Sequence, residues 1–115
     1  MKYLCLLYAD ETGYPRLPKA EADQWMARFA AFTDEIKKSG HFVASNRLQP
    51  THAATTVRVR DGKLSATDGP FMETKEQLGG YYLIEARDLN DAIQVAGKIP
   101  GALYGSVEVR PIRDM

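Results

Sequence analysis

The residue types best suited to chemistry are concentrated in residues 67 to 81, which read TDGPFMETKEQLGGY. This 67–81 segment combines acids, a lysine and two adjacent glycines; its charged residues are Asp68, Glu73, Lys75 and Glu76. Such side chains on a permissive backbone can bind a polar ligand or exchange protons with it. The segment contains neither a nucleophile elbow nor a zinc-ligand spacing, so it predicts a site without specifying a reaction.

Asp68 has two interpretations. Pro70 lacks an N–H group, so the usual Asx turn from Asp68 to the amide two residues later cannot form. The carboxylate either caps a helical turn that begins at Pro70 and continues through Glu73 and Lys75, or it faces a ligand in a cleft. The sequence leaves both interpretations open.

Other side chains extend the candidate site. His52 is the better general-base candidate of the two histidines, because it lies in a loop and imidazole titrates near neutrality. We predict Asp68 and His52 as catalytic residues. The predicted ligand-binding residues are Phe71, Glu73, Lys75, Glu76 and Tyr81. A surface role explains the charged residues and His52 equally simply, and His41, after the helix-ending Gly40, is interpreted as structural. No metal and no cofactor is predicted.

Composition limits the possible partners and location. The 115 residues include 15 basic and 15 acidic side chains, so the net charge of zero provides no field to attract nucleic acid or an anionic membrane. The apolar start of the chain is interrupted at Asp10 and Glu11, which predicts a buried strand and a cytoplasmic protein. Cys5, the only cysteine, is expected to be an inert buried thiol.

Hydrophobic periodicity predicts one domain over residues 1–115, with six strands and two helices. The strands are expected at 2–9, 41–48, 55–60, 63–67, 80–86 and 105–112, and the helices at 19–39 and from Asp88 to Pro100. The order indicates an α+β fold of the ferredoxin-like split βαβ type with an inserted β-hairpin. Two helices cover only one face of the sheet, yet the first strand is apolar on both faces. We therefore expect a homodimer, closed as a dimeric α+β barrel.

The 67–81 segment also resembles a known signature. Asp68-Gly69-Pro70-Phe71, continued as ETKEQLGGY, is similar to the signature of the DGPF branch of YCII-related proteins. Three further stretches share the resemblance: MKYL at the start, TVRVRDG from Thr56 and SVEVRPI from Ser106. It therefore covers the whole chain and implies a dimeric ferredoxin-like α+β barrel.

The resemblance implies two directions for function. Some members of the wider family pair a histidine on the first helix with an aspartate near the end of the second, which implies a small enzyme. Here Trp25 occupies the histidine position and the second helix ends Lys98-Ile99-Pro100, so that dyad is not expected. Members of the DGPF branch are associated with extracytoplasmic-function sigma factors, which implies a link to regulation.

Two function classes follow. One is a homodimeric small-molecule-binding protein or small enzyme with a cleft beside the 67–81 segment. The other is a regulatory or protein-interaction module linked to a sigma factor. A pocket with convergent polar groups favours the first class, and an apolar patch exposed after dimerisation favours the second.

Overall fold

A computed structural model describes residues 1–13 and 16–114. In chain order the strands and helices are β1 (Lys2–Ala9), α1 (Lys19–Lys38), β2 (Phe42–Arg47), β3 (Thr55–Arg60), β4 (Lys63–Asp68), β5 (Gln77–Glu85), α2 (Leu89–Ala96) and β6 (Ser106–Pro111). Short 3₁₀ turns occupy Thr51–Ala53 and Pro100–Leu103. In the described part of the chain, no helix combines the length and apolarity needed to cross a bilayer.

Four strands form one antiparallel sheet in the order β2-β5-β1-β6, and β3 and β4 form a separate two-stranded sheet. With the hairpin set aside, this order is that of the split βαβ fold, in which each helix connects two strands with another strand between them. The α+β, ferredoxin-like prediction with an inserted hairpin is confirmed.

The core lies between the helices and one face of the sheet. Alternate residues of β1 and β5 point into it, because side chains alternate between the faces of a strand. The most deeply buried residues are Tyr3, Cys5, Ile84, Ala92 and Ile99, with Phe32 and Ile36 of α1 packed over them. Burial raises the pKa of the Cys5 thiol to about 11, which agrees with an inert cysteine.

Local sequence signals set the ends of the elements. Gly40 ends α1 with φ of 82°, the left-handed conformation that glycine adopts without strain. Asp88 caps α2 by accepting a hydrogen bond from the Asp91 amide at 2.8 Å. Asp61 and Gly62 both have positive φ, as a tight hairpin turn between β3 and β4 requires.

Bulges changed two details of the prediction. Regular alternation along the predicted strand 41–48 would put Phe42 and Ala44 on one face. This is wrong, because a bulge at Val43 places Phe42 opposite Ile84 and Ala44 opposite Leu83. Strand β5 begins at Gln77, three residues before the predicted start, and Gly79 forms a bulge where the register with β1 shifts.

The second face of the sheet, which we call the open face, has no helix over it. Its central side chains are half-buried and largely apolar: Leu4, Leu6, Tyr8, Ala44, Tyr81 and Leu83. Near β6 this face carries Glu108 and Arg110, which form an ion pair at 2.7 Å. The described protein is accordingly flat, with principal extents of 48 × 44 × 19 Å.

Candidate functional site

The structure distributes the predicted site residues over three places. Asp68 ends β4 and is exposed, and His52 is exposed in the 3₁₀ turn before β3. These two regions are linked where the Gly69 amide donates to the Ala54 carbonyl at 2.8 Å. Residues 70–76 contain no helix, so the interpretation of Asp68 as the cap of a helical turn at Pro70 is wrong.

The remaining predicted residues lie along the loop and on the open face. Phe71 is 69% exposed, and the Arg58 guanidinium carbon lies over its ring, 5.4 Å from the centroid of the Phe71 ring. Glu76 accepts a hydrogen bond from Ser106 at 2.9 Å, whereas Glu73 and Lys75 are exposed. Tyr81 lies on the open face, where its hydroxyl accepts a hydrogen bond from Asn46 at 2.9 Å.

A different cluster brings titratable groups together at the opposite end of the sheet. His41 lies between α1 and β2, and its Nε2 atom is 3.1 Å from Oδ2 of Asp91 in the first turn of α2. The other ring nitrogen, Nδ1, is 2.7 Å from the Ser39 hydroxyl. Asp91 is only 9% exposed, and it is the one charged residue classed as buried among those described. The positions considered from the sequence, Trp25 and the end of α2, are not those that form this histidine–aspartate pair.

Hydrogen bonds keep Asp91 ionised. The backbone N–H of Arg87 donates to Oδ2 at 3.0 Å and is the main reason that the Asp91 pKa falls from 3.8 to about 2. Partial burial opposes this shift, while the hydrogen bond from His41 adds to it. Asp91 therefore presents a carboxylate to His41 throughout the neutral range.

The backbone around Ser39 argues against a serine nucleophile. The amides of Ser39, Gly40 and His41 all donate to carbonyl oxygens in the last turns of α1. Acyl transfer needs free donors directed at a developing oxyanion, and these amides are already used. The cluster is suited to moving a proton and lacks the donors for acyl transfer at Ser39.

The cluster lines an open concavity of about 410 Å³. Its walls are formed by Met1, Ser39, Gly40, His41, Glu85, Ala86, Arg87 and Asp91. Arg87 Nη2 is 3.5 Å from Asp91 Oδ1. The Arg87 side chain is nevertheless 86% exposed, so its guanidinium remains largely in solvent. Within the described residues, no three His, Cys, Asp or Glu side chains are grouped in a way that could hold a metal ion.

Sequence reasoning missed this cluster because its members are far apart in the chain. His41 and Asp91 are separated by 50 residues, and each has an adequate local explanation as a residue after a helix or inside a helix cap. The signal that could have predicted this contact is the strand topology. Because β2 is antiparallel to β5, the start of β2 lies beside the end of β5, where α2 begins.

The Asp91 carboxylate should make folding stability depend on acid. Its folded-state pKa is depressed, so its contribution is fully present above pH 3.8 and is lost as the pH falls toward about 2. Thermal unfolding of Asp91→Asn should therefore show a lower Tm than wild type at pH 5 and a smaller difference near pH 2. Asp114→Asn is the matched exposed control. A difference between Asp91→Asn and wild type that is constant over this range would contradict the assignment.

Comparison with known proteins places this chain in a family. The YCII-related domain model matches residues 1–115. An uncharacterized protein of Rhizobium meliloti (strain 1021) is 39% identical over 114 residues, which cover 97% of this chain and 92% of that protein. The chain belongs to the YCII-related family.

Proposed function

We propose that this protein is a homodimeric, cytoplasmic small-molecule-binding protein that acts as a small acid–base enzyme, with His41 and Asp91 at its reacting centre. The observation that carries the proposal is the line of hydrogen bonds from buried Asp91 through His41 to the exposed Ser39 hydroxyl. This line lies in a concavity and includes a carboxylate with a strongly lowered pKa. Convergent polar groups of this kind are common in functional sites.

His41 would act as a base through Nδ1. With the Nε2 proton held by Asp91, the neutral ring keeps its free electron pair on Nδ1, 2.7 Å from the Ser39 hydroxyl. That hydroxyl has a second acceptor in the Ile36 carbonyl at 3.2 Å. It can turn to Ile36 when a ligand donor replaces it at Nδ1. The ligand then gives its proton to His41, and Asp91 stabilises the imidazolium that forms.

Arg87 indicates the ligand class. An exposed guanidinium beside a base is suited to binding a carboxylate, because its planar donors match the two carboxylate oxygens. We therefore propose small carboxylic acids with an adjacent hydroxyl or acidic C–H group. The site has room for molecules of this size.

A ligand titration followed by nuclear magnetic resonance tests this function. The chain contains two histidines, so His52→Gln assigns the ring signals of His41. With a panel of 2-hydroxy and 2-keto carboxylic acids as probes, at least one acid should shift the His41 signals until they saturate. Arg87→Ala should weaken that binding about tenfold, the loss of one charge-assisted hydrogen bond.

Arg58→Ala, an exposed arginine on the hairpin, is the control and should bind the same acid unchanged. The proposal fails if no acid in the panel perturbs His41 at millimolar concentration. It also fails if Arg87→Ala and Arg58→Ala bind equally well.

A second ligand position, beside the 67–81 segment, is favoured by Tyr81. Its hydroxyl and the Asn46 amide form a polar pair on the largely apolar open face, and Tyr81 lies on β5, the strand that follows the loop carrying Asp68, Phe71 and Glu73. Ligand pockets typically have a mostly apolar lining with a small number of polar groups. Saturating shifts at Tyr81 and Asn46, with none at His41, in the same titration would move the proposed cleft to this position.

Surface area supports the homodimer. The chain exposes 8376 Å² of accessible surface, whereas a compact monomer of 12.8 kDa exposes about 6,300 Å². The excess of about 2,100 Å² per chain matches the share that one subunit contributes to an obligate dimer interface. The radius of gyration is 16.1 Å, against about 13 Å for a compact domain of this length.

Sedimentation at micromolar concentration should therefore give a species of about twice the 12.8 kDa chain mass. Leu6→Asp should shift this species toward the monomer, because it places a charge at the centre of the open face. Gln24→Asp, which introduces the same charge at an exposed position of α1 on the other side of the sheet, should leave the dimer intact. A wild-type protein that sediments only at 12.8 kDa would refute the homodimer.

The regulatory alternative has one observation in its favour. The hairpin and the loop after it expose large apolar side chains: Val57, Val59, Leu64, Phe71 and Met72. Exposed apolar patches commonly mark protein-binding surfaces. By its signature we infer that the chain belongs to the DGPF branch, whose resemblance suggests a sigma-factor partner. This alternative gains support only if the patch stays exposed in the dimer.

A further inference from the structure

The β3–β4 hairpin has one apolar face that this chain does not cover. Register pairs Val57 with Ala66 and Val59 with Leu64, and paired residues point to the same side. Val57, Val59 and Leu64 are 59%, 58% and 73% exposed. The other side carries Arg58, Arg60 and Lys63, so the strands alternate clearly between an apolar face and a basic face.

An isolated hairpin with these properties needs a covering surface. Two antiparallel strands alone are marginally stable in water, and they gain stability when their apolar face packs on another element. In this chain β3 and β4 form a sheet of their own, apart from the four-stranded sheet. Hydrogen bonds at the base, including Thr56 Oγ1 to the Gly69 carbonyl at 2.9 Å, close the hairpin without covering that face.

We propose that the hairpin is an arm that crosses the dimer and lays its apolar face, Val57, Val59, Leu64 and Ala66, on the open sheet face of the second copy. This inference rests on the homodimer proposed above. The arm and the open face are both apolar and uncovered, and each chain carries both. A twofold-symmetric contact therefore covers the arm and the open face of each subunit. The basic face of the arm remains in solvent.

The surface excess favours a second copy over an unrelated protein. The excess of about 2,100 Å² per chain is in the range that one subunit of a permanent homodimer buries. The chain is also flat, only 19 Å thick, with a projecting hairpin. This shape allows the hairpin of each subunit to reach the open face of the other.

The arm would also carry Asp68, at the end of β4, to the partner. Asp68 pairs with Thr55 in the hairpin register, so it lies on the same face as Val57. The ligand position beside Tyr81 would then be built by two chains, the sheet of one and the arm of the other. This arrangement gives Asp68 an intersubunit role in place of the helix cap.

Thiol reactivity can test the arm directly. Cys5 is buried with a raised pKa, so the natural chain provides an unreactive background. Leu64→Cys places a thiol on the apolar face of the arm, and Lys63→Cys places a matched thiol one residue away on the basic face. Both positions are exposed in a single chain, so neither variant should disturb folding.

In protein that sediments as a dimer, the Leu64→Cys thiol should react with a disulfide reagent about tenfold more slowly than the Lys63→Cys thiol, as a group exposed for roughly a tenth of the time would. The difference should disappear when Leu6→Asp is added to make monomers. Equal reactivity within an intact dimer would overturn the arm while leaving the dimer standing. If the Leu64→Cys thiol still reacts slowly in the monomer, the arm is covered by its own chain and the intersubunit contact is overturned. A wild-type protein that is monomeric would overturn both the arm and the dimer.

Discussion

Replacing Phe32 with alanine should lower the free energy of unfolding by about 3–5 kcal/mol, because a cavity replaces a buried ring. Phe32 is 4% exposed and meets the Tyr82 ring edge to face, with the two centroids 5.1 Å apart. This contact joins α1 to the centre of the sheet. The Tyr82 hydroxyl is held in place by Thr33 of the same helix at 2.9 Å.

Chemical denaturation at one fixed protein concentration measures this loss, because the stability of the proposed dimer would depend on concentration. Phe32→Leu is the matched control, which keeps most of the volume and should cost less than about 1.5 kcal/mol. A loss below about 0.5 kcal/mol for Phe32→Ala is typical of surface substitutions. It would mean that α1 does not pack on the sheet as described.

Replacing Gly105 with alanine should also destabilise the protein, for a different reason. A Cβ atom at this position would overlap the Tyr8 carbonyl oxygen and lie 3.2 Å from the Ala9 Cα. Both are backbone atoms at the end of β1, so the start of β6 would have to move away. Overpacking of this kind costs about 1–3 kcal/mol or more.

Gly79→Ala provides the control for Gly105→Ala. Gly79 forms the β5 bulge, and a Cβ atom there meets nothing within 4 Å. Thermal unfolding should therefore show a large loss of Tm for Gly105→Ala and a small change for Gly79→Ala. Equal Tm values for the two variants would mean that β1 and β6 do not approach each other as closely as described.

Local sequence patterns predicted the elements well. The first strand, which is apolar on both faces, the hairpin strands at 55–60 and 63–67 and the start of the second helix at Asp88 appear in the structure where the sequence indicates them. These features depend on interactions between residues a few positions apart. They are therefore visible in a single sequence without knowledge of the fold.

The candidate site was less accessible to sequence reasoning. The 67–81 segment is conspicuous in composition, yet its residues lie on the hairpin, the following loop and the open face. The bulge at Val43 was also hidden, because an extra residue in a strand leaves the composition unchanged while it reverses which side chains face the core.

For this protein, the sequence by itself determined the α+β class, the order of strands and helices, the separate hairpin and the family signature. Only the tertiary structure decided which polar groups meet. His41 and Asp91 come together because antiparallel pairing of β2 with β5 places the start of one strand beside the end of the other. The lowered pKa of Asp91 likewise depends on hydrogen bonds from Arg87 and His41, and the His41 bond exists only once the chain has folded. Contacts between distant residues depend on strand register and topology, which no local pattern encodes.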